Sequence, residues 1–406
     1  MDMAKPTIRF KGYQDDWEQR KLGDLVIDHN AGIYISKEDY GEGTNVIGVG
    51  NIYDRDIFDG EIYRLGPVND DKFILDENDI LYGESSLVPE GIARTVCVGK
   101  NGAGSAFAWH TRRVKLDKNI VNSHVATLEL NYLHDIRKYL VSVSTQTALT
   151  GMTTEGYFGV TLTLPSVEEQ QKISDYFKNL DHFITLHQRK CDETKRLKKY
   201  MLQKMFPQNG EKVPEIRFSG FTDDWEQRKV CNITTSYSGG TPKSGYTEYY
   251  DGDIPFIRSG EIYSDKTELF ITELGMKNSS AKMVHEGDIL YALYGATSGE
   301  VSRAKLDGAI NQAILAIVPN DDINANFLVE WFRKEKDKIT DTYLQGGQGN
   351  LSAQIIKELE VTIPSYDEQN KIGLYFEQLN TLITLHQREL ENLQNIKKFM
   401  LGKMFV

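Results

Sequence analysis

The sequence predicts an α+β chain of two similar halves, each a globular α/β domain followed by one long helix. Two internal repeats and an apolar periodicity indicate this architecture. Residues 164–206 return as 363–405 at an offset of 199, with 22 of 43 positions identical. Residues 8–21 return as 216–229, with 11 of 14 positions identical. The spacing between copies is far too long for a solenoid, so the repeats indicate two duplicated halves.

The repeated segment that closes each half is typical of a long helix. Pro165 and Pro364 precede a first turn rich in Glu and Gln, which suits the positive end of a helix dipole. Apolar residues then alternate at spacings of four and three, which predicts a coiled-coil seam. The seam residues are Ile173, Phe177, Leu180 and Ile184 in the first copy, and Ile372, Phe376, Leu379 and Ile383 in the second. Two core helices of a globular enzyme are an alternative, although core helices are usually shorter.

Chain connectivity predicts that the two long helices are antiparallel. About 39 helical residues give a rod of ~58 Å. If the helices were parallel, the second globular domain would have to bridge that length, although domain termini usually lie close together. We therefore expect antiparallel helices that separate the two domains around a pseudo-twofold axis.

These elements predict four parts along the chain. They are a globular domain over 1–163, a long helix over 164–206, a second globular domain over 207–362 with a polar linker at 207–215, and a second long helix over 363–406.

Short β-branched and apolar segments bounded by Gly, Asn and Asp predict strands in both globular domains. They cover 46–53, 79–85, 92–99 and 124–130 in the first domain, and 254–260, 288–295, 300–306 and 313–319 in the second. Helices are predicted over 131–144 and 325–344. Trp17 and Trp225, inside the shorter repeat, are predicted to anchor that segment in its domain.

Composition favours a soluble, cytoplasmic protein. The three cysteines are far apart and odd in number, which indicates a reducing compartment without a disulfide framework. The N-terminus lacks the apolar core of a signal peptide, and no apolar run reaches the ~18 residues of a membrane span. The eight histidines form no cluster at metal-ligand spacing, so we expect no metal or other cofactor.

The net charge of −12 argues against indiscriminate binding along nucleic acids. It leaves room for a locally basic surface. No phosphate-binding loop, dinucleotide fingerprint, nucleophile elbow or zinc-protease motif occurs in the sequence. The pattern therefore favours a binding or scaffolding protein over an enzyme.

Several motifs, taken together, resemble those of one protein family. Each half closes with P-S-x-x-E-Q-x-K-I-x-x-Y-F and runs into the long helix. The second half also carries GGTPKSGYTEYYDGDIPFIRSGEI at 239–262, GDILYALYGATSGEVS at 287–302 and INQAILAI at 310–317. Together these segments resemble the DNA-specificity subunit of type I restriction–modification systems. In the first half, residues 77–96 take the place of the Tyr-Gly-Ala-Thr-Ser-Gly run, and VNSHVATL at 121–128 that of INQAILAI.

The resemblance implies a non-catalytic subunit. Each globular region would be a target-recognition domain that binds one half of a bipartite sequence in double-stranded DNA. The long helices would be spacers. The implied partners are two DNA adenine-methyltransferase subunits and two motor/endonuclease subunits, with no membrane and no cofactor.

The residues expected to contact DNA are polar or basic side chains near these motifs, because such groups bind base edges and phosphates. In the second domain they are Thr241, Lys243, Arg258, Ser259, Tyr294, Thr297, Ser298 and Arg303, with Gln345, Gln348 and Asn350 from a Gly/Gln-rich loop. In the first domain they are Arg55, Ser85, Ser86, Arg94, Arg112, Arg113 and Gln146.

Two other interpretations stay open from the sequence. One is a coiled-coil scaffold with two ligand-binding domains and no affinity for DNA. The other is a nuclease or methyltransferase without the usual motifs. Binding to DNA in the presence of a methyltransferase partner would favour the specificity subunit over the scaffold. Methyl transfer by the chain alone would support an enzyme.

Overall fold

A computed structural model of the chain describes residues 5–53, 55–146, 149–208, 210–344 and 350–405. The chain divides into two compact units. Unit 1 comprises Met1–His187 and Glu389–Val406, and unit 2 comprises Gln188–Arg388. Each unit therefore contains one globular region and parts of both long helices. Within the described residues, no helix combines the length and the apolar character that crossing a membrane would require.

In the part of unit 1 that the structure describes, there are four small sheets and three short α-helices besides its parts of the long ones. Its strands are β1 (Glu18–Lys21), β2 (Val26–Ala31), β3 (Thr44–Ile47), β4 (Ile57–Phe58), β5 (Leu65–Gly66), β6 (Ile80–Gly83), β7 (Ser85–Ser86), β8 (Thr95–Val98), β9 (Ala106–Phe107), β10 (Thr111–Leu116), β11 (Thr145–Gln146), β12 (Thr150–Gly151) and β13 (Thr161–Leu164). Its short helices are α1 (Ser123–Tyr132), α2 (His134–Val143) and α3 (Thr154–Phe158), and the first long helix is α4 (Val167–Lys204).

Unit 2 repeats this plan with fewer short strands. Its strands are β14 (Glu226–Lys229), β15 (Thr234–Ser238), β16 (Tyr250–Ile257), β17 (Phe270–Ile271), β18 (Lys282–Val284), β19 (Ile289–Ala292), β20 (Val301–Arg303), β21 (Gly308–Ile310), β22 (Ile314–Pro319) and β23 (Glu360–Ile363). Its helices are α5 (Val230–Ile233), α6 (Glu273–Lys277), α7 (Ala325–Leu344), α8 (Ala353–Glu358) and the second long helix, α9 (Tyr366–Met404).

The two units share sheet topology. The main sheet has the order β2-β10-β6-β8-β4 in unit 1 and β15-β22-β19-β20 in unit 2. A second sheet has the order β5-β3-β9 in unit 1 and β17-β16-β21-β18 in unit 2. In each unit the first strand pairs with the last before the long helix, as β1 with β13 and β14 with β23. The duplication predicted from the sequence repeats is thus confirmed in the fold.

The long helices run antiparallel within each unit, as predicted. In unit 1, the ring of Phe177 lies 6.0 Å from that of Phe405, while Asp181 binds Lys397 at 2.7 Å. Residue numbers rise along α4 as they fall along α9. The predicted seam is apolar and buried where the helices meet their globular regions. There Ile173, Phe177 and their equivalents Ile372 and Phe376 are almost fully enclosed.

The start of each globular region is tied to the end of a long helix. The Ile8 amide donates to the Lys403 carbonyl over 2.9 Å, and the Ile216 amide donates to the Lys204 carbonyl over 2.9 Å. Trp17 packs edge-on against Phe405, and Trp225 against Phe206. Both tryptophans are buried, so their prediction as anchors is confirmed.

The strand predicted over 124–130 is wrong. These residues lie in helix α1, because the Asn122 side chain accepts hydrogen bonds from the amides of His124 and Val125 and so caps a helix start. Almost the whole of α1 is buried, which gave its sequence the uniformly apolar character of a core strand. Of the helix predicted over 131–144, His134–Val143 is confirmed as α2, whereas the first two residues form the end of α1. The helix predicted over 325–344 is confirmed at both ends.

This error also misaligned the two halves. VNSHVATL does not correspond to INQAILAI. Asn122 and Asn324 each cap a helix and donate a backbone hydrogen bond to a glutamine of a long helix, Gln170 or Gln369. INQAILAI instead spans the end of β21 and most of β22, whose counterparts in unit 1 are β9 and β10, at residues 107–114.

Candidate nucleic-acid interface

In unit 2, hydrogen bonds bring four polar side chains to one end of the main sheet. The Thr241 hydroxyl donates to Oε1 of Gln312 over 2.6 Å. The next residue, Ala313, accepts from the Leu293 amide, and Leu293 in turn accepts from the Leu351 amide. An antiparallel bridge then pairs Tyr294 with Asn350. We call the set Thr241, Tyr294, Gln312 and Asn350 the unit 2 edge.

Unit 1 has the equivalent edge with different side chains. His110 accepts from the Glu84 amide, Glu84 accepts from the Met152 amide, and Ser85 pairs with Gly151. These bonds repeat those of unit 2 one for one. The set that corresponds to the unit 2 edge is Tyr34, Ser85, Trp109 and Gly151, which we call the unit 1 edge.

A close approach of two backbone segments positions the first residue of each edge. The Ile33 amide donates to the Phe107 carbonyl, as the Gly240 amide donates to the Ile310 carbonyl. A Cβ on Gly32 would lie 1.9 Å from the Ala108 oxygen, and one on Gly239 would lie 1.8 Å from the Ile310 oxygen. Only glycine fits at these two positions, and Tyr34 and Thr241 each follow two residues later.

The structure places several of the predicted residues of the second domain at or next to the unit 2 edge. Thr241, Tyr294 and Asn350 belong to it, and Lys243 follows Thr241 in an exposed loop. Thr297 and Ser298 lie in the turn after Tyr294, where the Ser298 hydroxyl donates to the Gly295 carbonyl. Arg258 and Ser259 follow the carboxyl end of β16, which pairs in parallel with β21 and so ends beside the residues before Gln312.

Arg303 is not brought to this edge. It lies at the opposite end of the β19–β20 hairpin, opposite Ile289 in the ladder. Its guanidinium donates to the Gly287 carbonyl and to Oδ1 of Asn326, 2.6 Å away, so it joins the sheet to the start of α7.

In unit 1 the predicted residues form two groups, one at or beside the unit 1 edge and one of arginines paired elsewhere in the unit. The first group lies around strand β7. Ser85 and the buried Ser86 lie on β7, in one small sheet with β11, which ends at Gln146. Arg112 lies beside this sheet and binds Glu84 at 2.8 Å.

The other predicted arginines of unit 1 have partners inside the unit. Arg113 is buried and binds Asp28 at 2.6 Å. Arg94 donates to the Tyr132 hydroxyl and lies 3.8 Å from the buried Asp56. Arg55 pairs with Glu61. Gln345, Gln348 and the side chain of Gln146 lie outside the described residues.

Electrostatics distinguish Arg258 from Lys243. Arg258 donates to both Glu261 and Glu268, and these hydrogen bonds raise the pKa of its guanidinium. The same hydrogen bond from Arg258 lowers the pKa of Glu261 to about 2. For DNA to contact Arg258, it would have to displace two carboxylates. Lys243, in contrast, is exposed and has no ion-pair partner among residues that the structure describes.

Sequence reasoning missed Tyr34, Trp109 and Gln312. Trp109 was missed because the sequence comparison aligns INQAILAI with VNSHVATL at 121–128. The structure aligns INQAILAI with residues 107–114 instead, which makes Trp109 the counterpart of Gln312. The signal that could have found them is the glycine that precedes each edge, Gly32 and Gly239, each close to the end of a β-branched or polar strand.

Comparison with known proteins agrees with this architecture. A family model described as the type I restriction modification DNA specificity domain matches twice, over residues 14–196 and 222–395. The MjaIX specificity subunit of a type I restriction enzyme from Methanocaldococcus jannaschii is 30% identical over 194 residues, which cover 45% of this chain and 44% of that subunit. The chain thus matches less than half the length of this relative. The MjaVIII specificity subunit of the same organism is 22% identical over 84% of this chain and 81% of its own.

Solved structures share the fold. The S subunit of a type I restriction-modification system from M. genitalium is 16% identical, with a TM-score of 0.70 over 99% of both chains. A chain from a structure of type I R-M complex assembly and conformational transition has a TM-score of 0.51 at 14% identity, over 97% of this chain and 98% of its own. The family match covers both halves, including both edges, and so exceeds half of the chain. The chain therefore belongs to the type I restriction modification DNA specificity family.

Proposed function

We propose that the chain reads a bipartite DNA sequence, with each globular domain reading one half. The proposed domains are residues 1–163 and 207–362. The long helices at 164–206 and 363–406 set the spacing between half-sites and dock two adenine-methyltransferase subunits. Two motor/endonuclease subunits complete the restriction complex. The chain itself binds and positions, and the partners carry the catalysis.

The observation that supports this most directly is the pair of edges. Two units of common topology carry the same backbone arrangement, yet the side chains differ at every edge position: Tyr34, Ser85, Trp109 and Gly151 in one, Thr241, Tyr294, Gln312 and Asn350 in the other. A duplicated scaffold that keeps its geometry and varies its polar and aromatic groups suits the reading of two different half-sites.

The experiment is a domain exchange. Residues 230–362 are replaced by the corresponding segment of a family relative that methylates a different sequence, and the chimera is produced with its methyltransferase in a host whose DNA is then sequenced for methylated adenine. We expect one half of the methylated sequence to change and the other half, with the spacing, to stay. The segment starts directly after β14 and includes 360–362 of its partner strand β23, so the relative must supply residues that pair with β14 in the same register.

The matched control is the reciprocal chimera over residues 22–160, which should change only the other half. An exchange that altered both halves would contradict separate reading. A chain that neither binds DNA nor supports methylation with its partner would favour the non-DNA scaffold.

A further inference from the structure

The unit 1 edge presents two aromatic rings to solvent. The rings of Tyr34 and Trp109 meet edge to face with centroids 5.3 Å apart. Tyr34 is 66% exposed and Trp109 is 53% exposed. Such exposure loses the burial energy that usually makes large aromatics part of a core. These paired rings are therefore available for contact with a ligand outside the unit.

The backbone beneath Trp109 is held in an uncommon conformation. The following residue, His110, has a φ of 66°, in the left-handed region that few residues other than glycine adopt, although histidine, asparagine and aspartate do so more often than the rest. Its ring lies 3.9 Å from that of Trp109, and the Trp109 amide donates to the Ile33 carbonyl over 2.7 Å. Strained residues of this kind cluster at functional sites.

In unit 2 the same two positions hold a polar pair. Thr241 replaces Tyr34 and Gln312 replaces Trp109, and the hydroxyl of the first binds the amide oxygen of the second. Both residues are exposed. The threonine fixes the orientation of the amide. Among the residues that the structure describes, no other group binds this amide, so the Nε2 donors of Gln312 and the second lone pair of its oxygen remain for a ligand.

We propose that this pair of positions reads one base pair in each half-site, with opposite chemistry in the two units. In unit 1, the Tyr34–Trp109 pair receives the methyl group of a thymine in the major groove. In unit 2, the Thr241-oriented amide of Gln312 binds the N6 and N7 edge of an adenine. Apolar surface suits the thymine methyl, and a side-chain amide suits adenine. This inference rests on the proposed function, because it names the bases that the two edges read.

The first test uses the unaltered complex with its methyltransferase, on synthetic duplexes that carry its methylated sequence. Each thymine of the half-site assigned to unit 1 by the domain exchange is replaced in turn by uracil, which lacks only the methyl group. We expect one replacement to weaken binding about fourfold, the effect of one buried methyl. Trp109→Ala should abolish the difference between that thymine and uracil. A half-site in which no replacement matters would overturn the unit 1 assignment.

The second test exchanges the pairs. Tyr34→Thr with Trp109→Gln should change the base required at one position of the unit 1 half-site, and Thr241→Tyr with Gln312→Trp should do the same in the unit 2 half-site. In each variant the half-site of the untouched unit is the internal control for folding and assembly.

The outcomes separate the inference from the proposed function. If the domain exchange switches half-sites but the pair exchanges leave every base unchanged, this inference is wrong and the proposed function stands. If the unaltered complex methylates no defined sequence, the proposed function fails first. A double variant that loses methylation entirely is replaced by the single variants Trp109→Phe and Gln312→Ala, which remove less packing. Their binding to duplexes with single base replacements then decides whether this inference holds.

Discussion

Lys397 of the second long helix places its ammonium 2.7 Å from the carboxylate of Asp56, inside unit 1. It lies equally close to Asp181 of the first long helix. Lys198 occupies the same position of the repeat and lies 3.0 Å from Glu330 in unit 2. Each globular region therefore holds the helix from the other repeat through one enclosed ion pair.

The Lys397→Met variant should lose stability in unit 1. Asp56 is almost fully enclosed, and its burial acts to raise its pKa. The charge of Lys397 and the hydrogen bonds from Lys397, Tyr132 and Asn131 outweigh that effect, so the pKa lies below its ordinary value. Removing one partner of an enclosed pair leaves the other charge uncompensated, and we expect a loss of about 3 kcal/mol in the free energy of unfolding.

Chemical denaturation monitored by tryptophan fluorescence measures this loss. Lys398→Met is the matched control, because Lys398 is the exposed neighbour, and it should change stability little. The double variant Asp56→Asn with Lys397→Met should recover part of the loss. Equal stabilities of the Lys397 and Lys398 variants would contradict the role of the ion pair.

Glu129 should make unit 1 less stable as pH rises. Its carboxylate is enclosed in α1, and burial raises its pKa from 4.5 to about 8, although a hydrogen bond from the Thr163 amide acts in the opposite direction. The folded state therefore keeps a proton that the unfolded chain releases above about pH 4.5. The contribution of protonated Glu129 to the free energy of unfolding is fully present below that pH and is lost as the pH rises to about 8.

The Glu129→Gln variant isolates this contribution, because its amide stays neutral at every pH. Between pH 5 and pH 8, the wild type should lose more unfolding free energy than the variant does. Glu155→Gln, at an exposed position of the same unit, is the control and should follow the wild type. Parallel pH profiles for wild type and Glu129→Gln would show that Glu129 is ionised in the folded protein.

Lys243 should contribute to DNA affinity without reading sequence. Its ammonium is free of carboxylates among the described residues and lies two residues from the unit 2 edge. The Lys243→Ala variant of the assembled complex should bind specific and non-specific duplexes more weakly by a similar factor. It should also reduce the slope of log K against log salt by about 1. Lys305→Ala, in the turn at the far end of the β19–β20 hairpin, is the control and should leave the slope unchanged.

Partner subunits should determine much of the affinity. A chain with a net charge of −12 repels the phosphate backbone at long range, so alone it should bind DNA weakly and with steep salt dependence. Titration of methyltransferase subunits into a fluorescence-anisotropy assay should tighten binding by orders of magnitude. Tight, sequence-specific binding by the chain alone at physiological salt would contradict this expectation.

The long helices were predictable because their signal is long and regular. A seam such as Ile173, Phe177 and Leu180 persists over many turns, and its copy at Ile372 repeats it. Helix α7 is equally clear, since Leu328, Trp331 and Phe332 recur at helical spacing on one face. Short buried elements carry no such periodicity, so the sequence of α1 predicts a strand.

The edges could be predicted only in part. Thr241 and Tyr294 stand beside glycine-rich motifs that point to exposed loops. Arg94 and Arg113 have the same side-chain chemistry as DNA-binding arginines, and only their tertiary partners, Asp56 and Asp28, reveal a structural use. Gln312 and Trp109 follow strands that meet the rest of the edge through long-range hydrogen bonds, which sequence spacing does not encode.

The place of Lys397 in the chain has a consequence for biosynthesis. Unit 2 is a continuous segment, whereas unit 1 needs residues 389–406, which leave the ribosome after all of unit 2. Until then, Asp56 and Asp181 lack their lysine, and the apolar faces of Phe177 and Trp17 lack Phe405. The first globular region to be synthesised is therefore the second to be completed. A nascent chain interrupted before Lys397 would carry an unfinished unit 1 that quality-control proteases can detect.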